Sequence, residues 1–398
     1  MTHVVGRGGG GPPLPWKETC PVDERLRFIS LVNESEETFA ALCEQFGISR
    51  KTGYKWVARY EASGPRGLEA RGPVAHTFPH ATPTSVLDAL LELRKERPTW
   101  GPKKLRTCLE SQGVERVPAA STIGELLKKH GLVRPRRRRI QAPRAPSSLG
   151  VAEQPNDTWC IDFKGHFGLG DGTRCHPLTM TDQVSRYLLK CEGLARPNEV
   201  SVRPHLERAF HEFGLPERIR SDNGPPFATL GVGGLSALSV SWIKLGIEPE
   251  RIQPGHPEQN GRHERMHRTL KAEGTVPPGE TLPEQQRSFD RFRHDYNDER
   301  PHEALGQKTP ASCYTPSRKT MPKAPSSPEY PPEMTVRKVG TNGRIQLGGG
   351  DVFVSKLLAK EPVGAMPVDE DVWDLHYGPV LLAQVTLKDK TFQLSRRL

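Results

Sequence analysis

The chain has 398 residues, 57 Lys and Arg against 47 Asp and Glu, a net charge of +10, and an apolar share of 34%. That is too long and too polar for one compact globule, and the basic balance points to a polyanionic partner, most often nucleic acid. No stretch approaches 18 apolar residues, and no basic-then-apolar signal opens the chain, so we expect a soluble, cytoplasmic protein with no membrane partner. The seven cysteines form no C-x-x-C pair, which argues against a zinc module and for free thiols in a reducing compartment.

Residues 1–21 are rich in Gly and Pro and are expected to be disordered. Residues 22–70 read as a helix-turn-helix domain. Phe39, Leu42 and Phe46 recur at helical spacing, Gly47 fits the turn, and Ser49 is a good N-cap for a second helix whose inner face carries Trp56 and Val57. Arg50, Lys51, Tyr54 and Lys55 then fall on the outer face of that helix and are candidate DNA contacts; the ordinary alternative is a solvated basic face. Residues 84–134 read as a second helical, helix-turn-helix-like domain, with helices over 86–96, 102–110 and 119–130. Two such domains in tandem could read a bipartite DNA site. Residues 135–151 form a basic linker in which Arg136, Arg137 and Arg138 are suited to phosphate contacts insensitive to sequence.

Between 152 and 315 strands and helices alternate. In residues 157–165, Trp159, Ile161 and Phe163 share one face of a strand, while Asp162 and Lys164 share the other. A carboxylate inside such a strand is costly unless a metal or a buried partner satisfies it. Strands follow at 176–182 and 187–193, then a helix over 200–213. A strand at 216–219 leads to Asp222, held in a turn by Asn223-Gly224-Pro225-Pro226. A helix over 235–245 and a strand over 249–253 precede a polar helix in which Met266 and Leu270 are the core contacts and Glu264, Arg268 and Lys271 form the opposite stripe. Residues 316–332 read as a linker. Residues 333–398 carry seven short β-patterned runs and are expected to form a small all-β barrel.

Three motifs in order resemble the Asp-Asp-Glu core of the integrase-type transposases of bacterial insertion sequences, relatives of retroviral integrases. They are Trp159-x-x-Asp162-Phe163, then Ser221-Asp222-Asn223-Gly224-x-x-Phe227, then Pro257-x-Gln259-Asn260-Gly261-x-x-Glu264-Arg265-x-His267-Arg268-Thr269-Leu270-Lys271; the tail from Tyr296 to Pro310 is also similar. The resemblance implies a multidomain α/β protein with a ribonuclease-H-like mixed α/β catalytic core. It implies Asp162, Asp222 and Glu264 as the catalytic and metal-binding acids, two Mg²⁺ (or Mn²⁺) ions, and phosphoryl transfer that cleaves 3′ ends and joins them to target DNA. Glu258 is a rival third acid, and Asp182 looks catalytic in isolation but holds a position that is structural in the family. The interval from Asp222 to Glu264 is 42 positions (264 − 222), a little longer than the family's compact spacing, with the extra length assigned to 230–235. Arg268 and Lys271 match positions where integrases contact the DNA end; Asn223 is a candidate to orient Asp222 or touch a phosphate, and Gln259 and Asn260 are candidate DNA contacts near the cleavage point, the ordinary alternative for each being a surface residue. The implied partners are double-stranded DNA, as element ends and target, and further copies of the chain, at least a dimer. The alternative is a domesticated copy that binds DNA without cutting it. A covalent recombinase, suggested by Arg293-His294-x-Tyr296, lacks the wider constellation that chemistry needs.

Overall fold

The structure is a computed structural model and describes residues 20–69, 81–133, 149–253, 255–388 and 391–395. Most of the predicted disordered N-terminus, most of the basic linker, and Arg136, Arg137 and Arg138 with it, lie outside the described residues. The chain divides into two units, residues 1–81 and 82–398.

In the first unit, α1 (Pro21–Glu34), α2 (Phe39–Gln45) and α3 (Arg50–Ser63) enclose Phe28, Ile29, Leu42, Cys43 and Leu68. Thr38 caps α2 by accepting from the Ala41 N–H, and Ser49 caps α3 by accepting from the Thr52 N–H. Gly47 turns the chain between them at φ +62°, where a side chain would be strained. Gly53 lets α3 cross α2 closely: a Cβ there would meet Cys43 Sγ at 2.7 Å. This is the helix-turn-helix that the spacing predicts.

The second unit begins with α4 (Thr84–Glu96), α5 (Pro102–Ser111) and α6 (Ala120–Lys129), which pack around Leu90, Trp100, Leu105, Leu109, Ile123 and Leu127. This trio docks on the 295–303 segment. Arg97 pairs with Asp295 at 2.6 Å and also with Glu299, while Lys103 pairs with Glu303.

The central sheet comprises β1 (Thr158–Phe163), β2 (Phe167–Gly168), β3 (Arg174–Asp182), β4 (Leu188–Leu194), β5 (Arg218–Ser221) and β6 (Glu248–Arg251). Its long strands run β4-β3-β1-β5-β6, and β2 pairs with the start of β3. β1, β3 and β4 are antiparallel neighbours, whereas β5 and β6 join parallel to β1. This mixed order is that of the ribonuclease-H-like core expected above. The helices between strands are α7 (Glu199–Phe213) and α8 (Ala237–Lys244); α9 (Gly261–Glu273) and α10 (Leu282–His294) follow the sheet. On one face Trp159, Ile161, Leu178 and Met180 pack against Val202, Leu206 and Phe210 of α7 and Trp242 of α8. On the other, Cys175, Leu188 and Cys191 pack against Met266 and Leu270 of α9 and Phe289 and Phe292 of α10.

β4 is a sheet edge, and its outer backbone groups need partners. Gln286 bonds Gly193 N–H and Cys191 C=O, Arg293 bonds Leu189 C=O, and Asn297 bonds both Leu188 groups. Part of the tail motif therefore covers an edge.

In place of the expected closed barrel, β7 (Thr335–Lys338), β10 (Pro362–Asp369), β11 (Val372–Tyr377), β12 (Val380–Lys388) and β13 (Thr391–Ser395) form an open antiparallel sheet, ordered β13-β12-β11-β10-β7. β8 (Arg344–Leu347) and β9 (Gly350–Phe353) pair separately as a hairpin. Among the described residues β7 and β13 do not pair. The hairpin's Ile345, Leu347, Val352 and Val354, with Val240 and Ile243 of α8, cover the apolar face built on Val363, Ala365, Leu375 and Val385. The face is buried without the sheet closing on itself.

Candidate active site

Asp162 lies near the end of β1, opposite Thr179 of β3, on the face covered by α9 rather than the Trp159–Ile161 face. Its side chain is 22% exposed. Burial pushes its carboxyl up to about 7; the charges of Asp222 and Glu264 add to the rise, opposed by the Phe163 N–H and Lys164.

Asp222 follows the last residue of β5. Because Cys160 and Arg220 are register partners on the parallel pair β1–β5, Asp162 and Asp222 each stand two residues beyond that pair at the ends of neighbouring strands. The turn holds Asp222 there: its Oδ1 accepts the Gly224 N–H at 3.2 Å, and Asn223 donates to Ile252 C=O at 2.6 Å. Burial raises the Asp222 carboxyl, and the Gly224 bond opposes the rise.

Glu264 is in the first turn of α9, on its exposed side with Arg268 and Lys271. Among the described residues no three His, Cys, Asp or Glu side chains stand close enough together to form a ready metal cluster. The donor chemistry nevertheless fits a hard divalent cation. Asp162, Asp222 and Glu264 supply oxygens from three separate elements, and the mutual charge felt at Asp162 is what a cation relieves.

The other predicted residues fall into distinct settings. Arg50, Lys51, Tyr54 and Lys55 are exposed on α3, and Tyr54 stacks on Phe39 with ring centroids 4.2 Å apart. Gln259 is engaged internally, accepting from the Gln253 N–H and donating to its side chain at 2.7 and 2.8 Å. Asn260, expected to reach DNA, is only 5% exposed, because the short turn before α9 folds it inward. Glu258 is exposed and bonded to His256 at 2.7 Å. Asp182 is a turn anchor, accepting from Asn156 N–H, Val184 N–H, Ser185 N–H and the Ser185 hydroxyl. Tyr296 is buried, its hydroxyl pushed up to about 12 by burial, and Arg293 is occupied by Leu189 C=O; neither is set up as a covalent recombinase needs.

Sequence reasoning missed His263 and His267. Both are buried on the inner stripe of α9, against Thr179 and Thr181 of β3. The signal was present: 263, 266, 267 and 270 are the i, i+3, i+4, i+7 stripe that Met266 and Leu270 mark as inward.

Residues 152–257 and 245–310 each match a family described as an integrase core domain. The chain therefore carries an integrase core across residues 152–310. Its helix-turn-helix regions also match, a helix-turn-helix domain at residues 24–73 and a homeodomain-like domain at 52–127. It is 29% identical over 233 residues to the insertion element IS407 uncharacterized 31.7 kDa protein of Burkholderia multivorans, covering 58% of this chain and 81% of that one. With the insertion element IS476 uncharacterized 39.2 kDa protein of Xanthomonas euvesicatoria it shares 28% over 259 residues, 62% and 70% of the two chains. With the transposase InsD of an Escherichia coli insertion element it shares 24% over 245 residues, 58% and 78%. In this integrase core the two aspartates sit at adjacent strand ends, beside the helix that carries Glu264. Among the described residues no helix is long and apolar enough to cross a membrane.

Proposed function

We propose that the protein binds the terminal inverted repeats of its mobile element, cleaves at their 3′ ends and joins them to target DNA. The observation that carries this reading is the side-by-side placement of Asp162 and Asp222 at the ends of parallel β1 and β5, with Glu264 close enough for its charge to act on Asp162.

Two in-line displacements account for the chemistry. In the first, water attacks the phosphorus at the element's end, the P–O3′ bond breaks, and a 3′-OH is left on the element. In the second, that 3′-OH attacks a target phosphodiester; one P–O bond forms and one breaks, so no external energy source is needed. Asp162, Asp222 and Glu264 would hold divalent ions, two in this reading, which when bound supply charge neutralisation at the phosphoryl group and at the attacking and leaving oxygens. The turn at Gly224 and the tie from Asn223 to Ile252 keep the Asp222 carboxylate at the strand end. Arg268 and Lys271 extend the Glu264 stripe as cations along which the DNA end can lie. Arg50, Lys51, Tyr54 and Lys55 supply repeat recognition on α3, and Arg136, Arg137 and Arg138 add phosphate contacts. Joining two ends calls for at least two copies of the chain. The reading as a domesticated regulator has no specific observation in its favour, since all three acids are present.

The test is strand joining by purified protein, a labelled end fragment and plasmid target in Mg²⁺ or Mn²⁺. Wild type should join, and Asp222→Asn should bind the end without joining it. Joining by Asp222→Asn would overturn the acid assignment; end binding by wild type without any cleavage would favour the regulator.

A further inference from the structure

The inner stripe of α9 spends two of its four positions, His263 and His267, on imidazoles. Burying them costs free energy that aliphatic side chains at the same positions would not. Both rings are enclosed between α9 and β3, with their nitrogens set against threonine hydroxyls and the Asp162 carboxylate. Each neutral ring has one donor nitrogen and one acceptor nitrogen.

Thr179 is the hub. Its hydroxyl lies 2.6 Å from His267 Nε2, 2.8 Å from His263 Nε2 and 3.1 Å from the Asp162 carbonyl oxygen. The Asp162 carbonyl can only accept, so all three contacts are hydrogen bonds when Thr179 donates to it and accepts from both rings; donating to a ring instead gives up the carbonyl bond. His263 is also held from its other side, where Nδ1 lies 2.7 Å from the Thr181 hydroxyl. His267 differs: its Nδ1 lies 3.8 Å from Asp162 Oδ2, with the ring side chain only 7% exposed.

The single hydrogen of Thr179 decides which His267 tautomer forms. Donated to His267 Nε2, its shortest contact, it leaves N–H on Nδ1, aimed at the carboxylate. Donated to the Asp162 carbonyl, it leaves a bare Nδ1 lone pair facing Asp162. An ionised carboxylate selects the first arrangement. Closure by about 1 Å then completes an N–H···O bond, a tightening of the sort catalytic sites make when loaded.

We propose that His267 is a positioning residue: it orients the Asp162 carboxylate for a divalent cation, with Thr179 fixing its tautomer and His263 pinning α9, and hence Glu264, to β3. The inference rests on the carboxylate-site reading above. Partners that orient metal ligands in this way tune affinity by roughly 10–100-fold.

The experiment uses the full-length protein and Mn²⁺ alone, without DNA, reading Mn²⁺ affinity from the ion's stabilisation of thermal unfolding. His267→Leu keeps apolar bulk and removes the donor; it should weaken Mn²⁺ binding by about 10-fold or more. His267→Asn places an N–H the same number of bonds from Cβ as Nδ1 and should restore affinity to within about threefold. Wild-type affinity in His267→Leu, or Asn binding no better than Leu, would overturn the positioning role. Asp222→Asn separates the two levels: if it too binds Mn²⁺ like wild type, it is the carboxylate site that fails.

Discussion

Replacing Asp182 should unfold the protein rather than disarm it. The carboxylate is 1% exposed and accepts four hydrogen bonds, from Asn156 N–H at 2.7 Å, Val184 N–H at 3.1 Å, Ser185 N–H at 2.7 Å and Ser185 Oγ at 2.6 Å. Asp182→Ala orphans these four donors, and an unsatisfied buried donor costs about 1–3 kcal/mol. Burial also raises the Asp182 carboxyl, so deleting it returns part of that cost, and the 183–187 turn can relax to admit water. The net loss should be about 3–5 kcal/mol. Asp182→Asn keeps one accepting oxygen but turns an NH₂ toward other donors, and should lose about 2–3 kcal/mol. Asp222, which accepts only a 3.2 Å bond from Gly224 and whose carboxyl burial raises, gives the contrast: Asp222→Asn should be neutral or stabilising. Guanidinium unfolding of the metal-free proteins measures both. If Asp182→Asn unfolds like wild type yet cannot join DNA, Asp182 is a catalytic group and its reading as a turn anchor is wrong.

Leu270→Ala should cost about 2–5 kcal/mol, since Leu270 is fully buried among Met266, Phe289 and Phe292; a denaturation midpoint within error of wild type would show that α9 is not held by this packing. Replacing Arg50, Lys51 and Lys55 together by Ala should leave helicity unchanged and flatten the salt dependence of end binding by about 0.9 per lost phosphate contact; an unchanged slope would remove α3 from the DNA interface. In EDTA, Asp162 should make stability depend on pH. Its carboxyl titrates near 7 when folded and near 4 when unfolded, so its neutral form favours the fold below about pH 4 and that advantage is lost as pH rises to about 7. Asp162→Asn should therefore gain on wild type across that window, by up to about 4 kcal/mol; an equal gap at pH 5 and pH 8 would refute it.

What the sequence disclosed and what it hid follow from different physics. The strand around Asp162 and the turn around Asp222 were legible because strand alternation and a Gly-Pro turn act locally, but only the resemblance joined the two residues, and the parallel register of β1 and β5 that sets them side by side is not visible in the sequence. His263 and His267 were overlooked because a basic helix invites reading every histidine as solvent-facing, although they share the inward stripe of Met266 and Leu270; their partners Thr179 and Thr181, more than 80 positions away, were not visible. Asn260 was expected at the DNA because its polarity is visible in sequence, whereas the turn that draws it inside is not; Gln259 stays half-buried and bonds Gln253. α10 carries too many Gln and Arg residues to advertise a core helix, and its polar side chains prove to cap the β4 edge. The seven C-terminal strands were legible one by one, but closure depends on what covers the sheet, and α8 does so here.

The account turns on Asp162, Asp222 and Glu264 sharing metal. The most direct measurement is anomalous scattering from Mn²⁺ in crystals of the protein with an end fragment. The predicted result is Mn²⁺ density between Asp162 and Asp222, in contact with oxygens of both and of Glu264, and absent from Asp222→Asn. Density only at His256 and Glu258, or density that persists in Asp222→Asn, would contradict it.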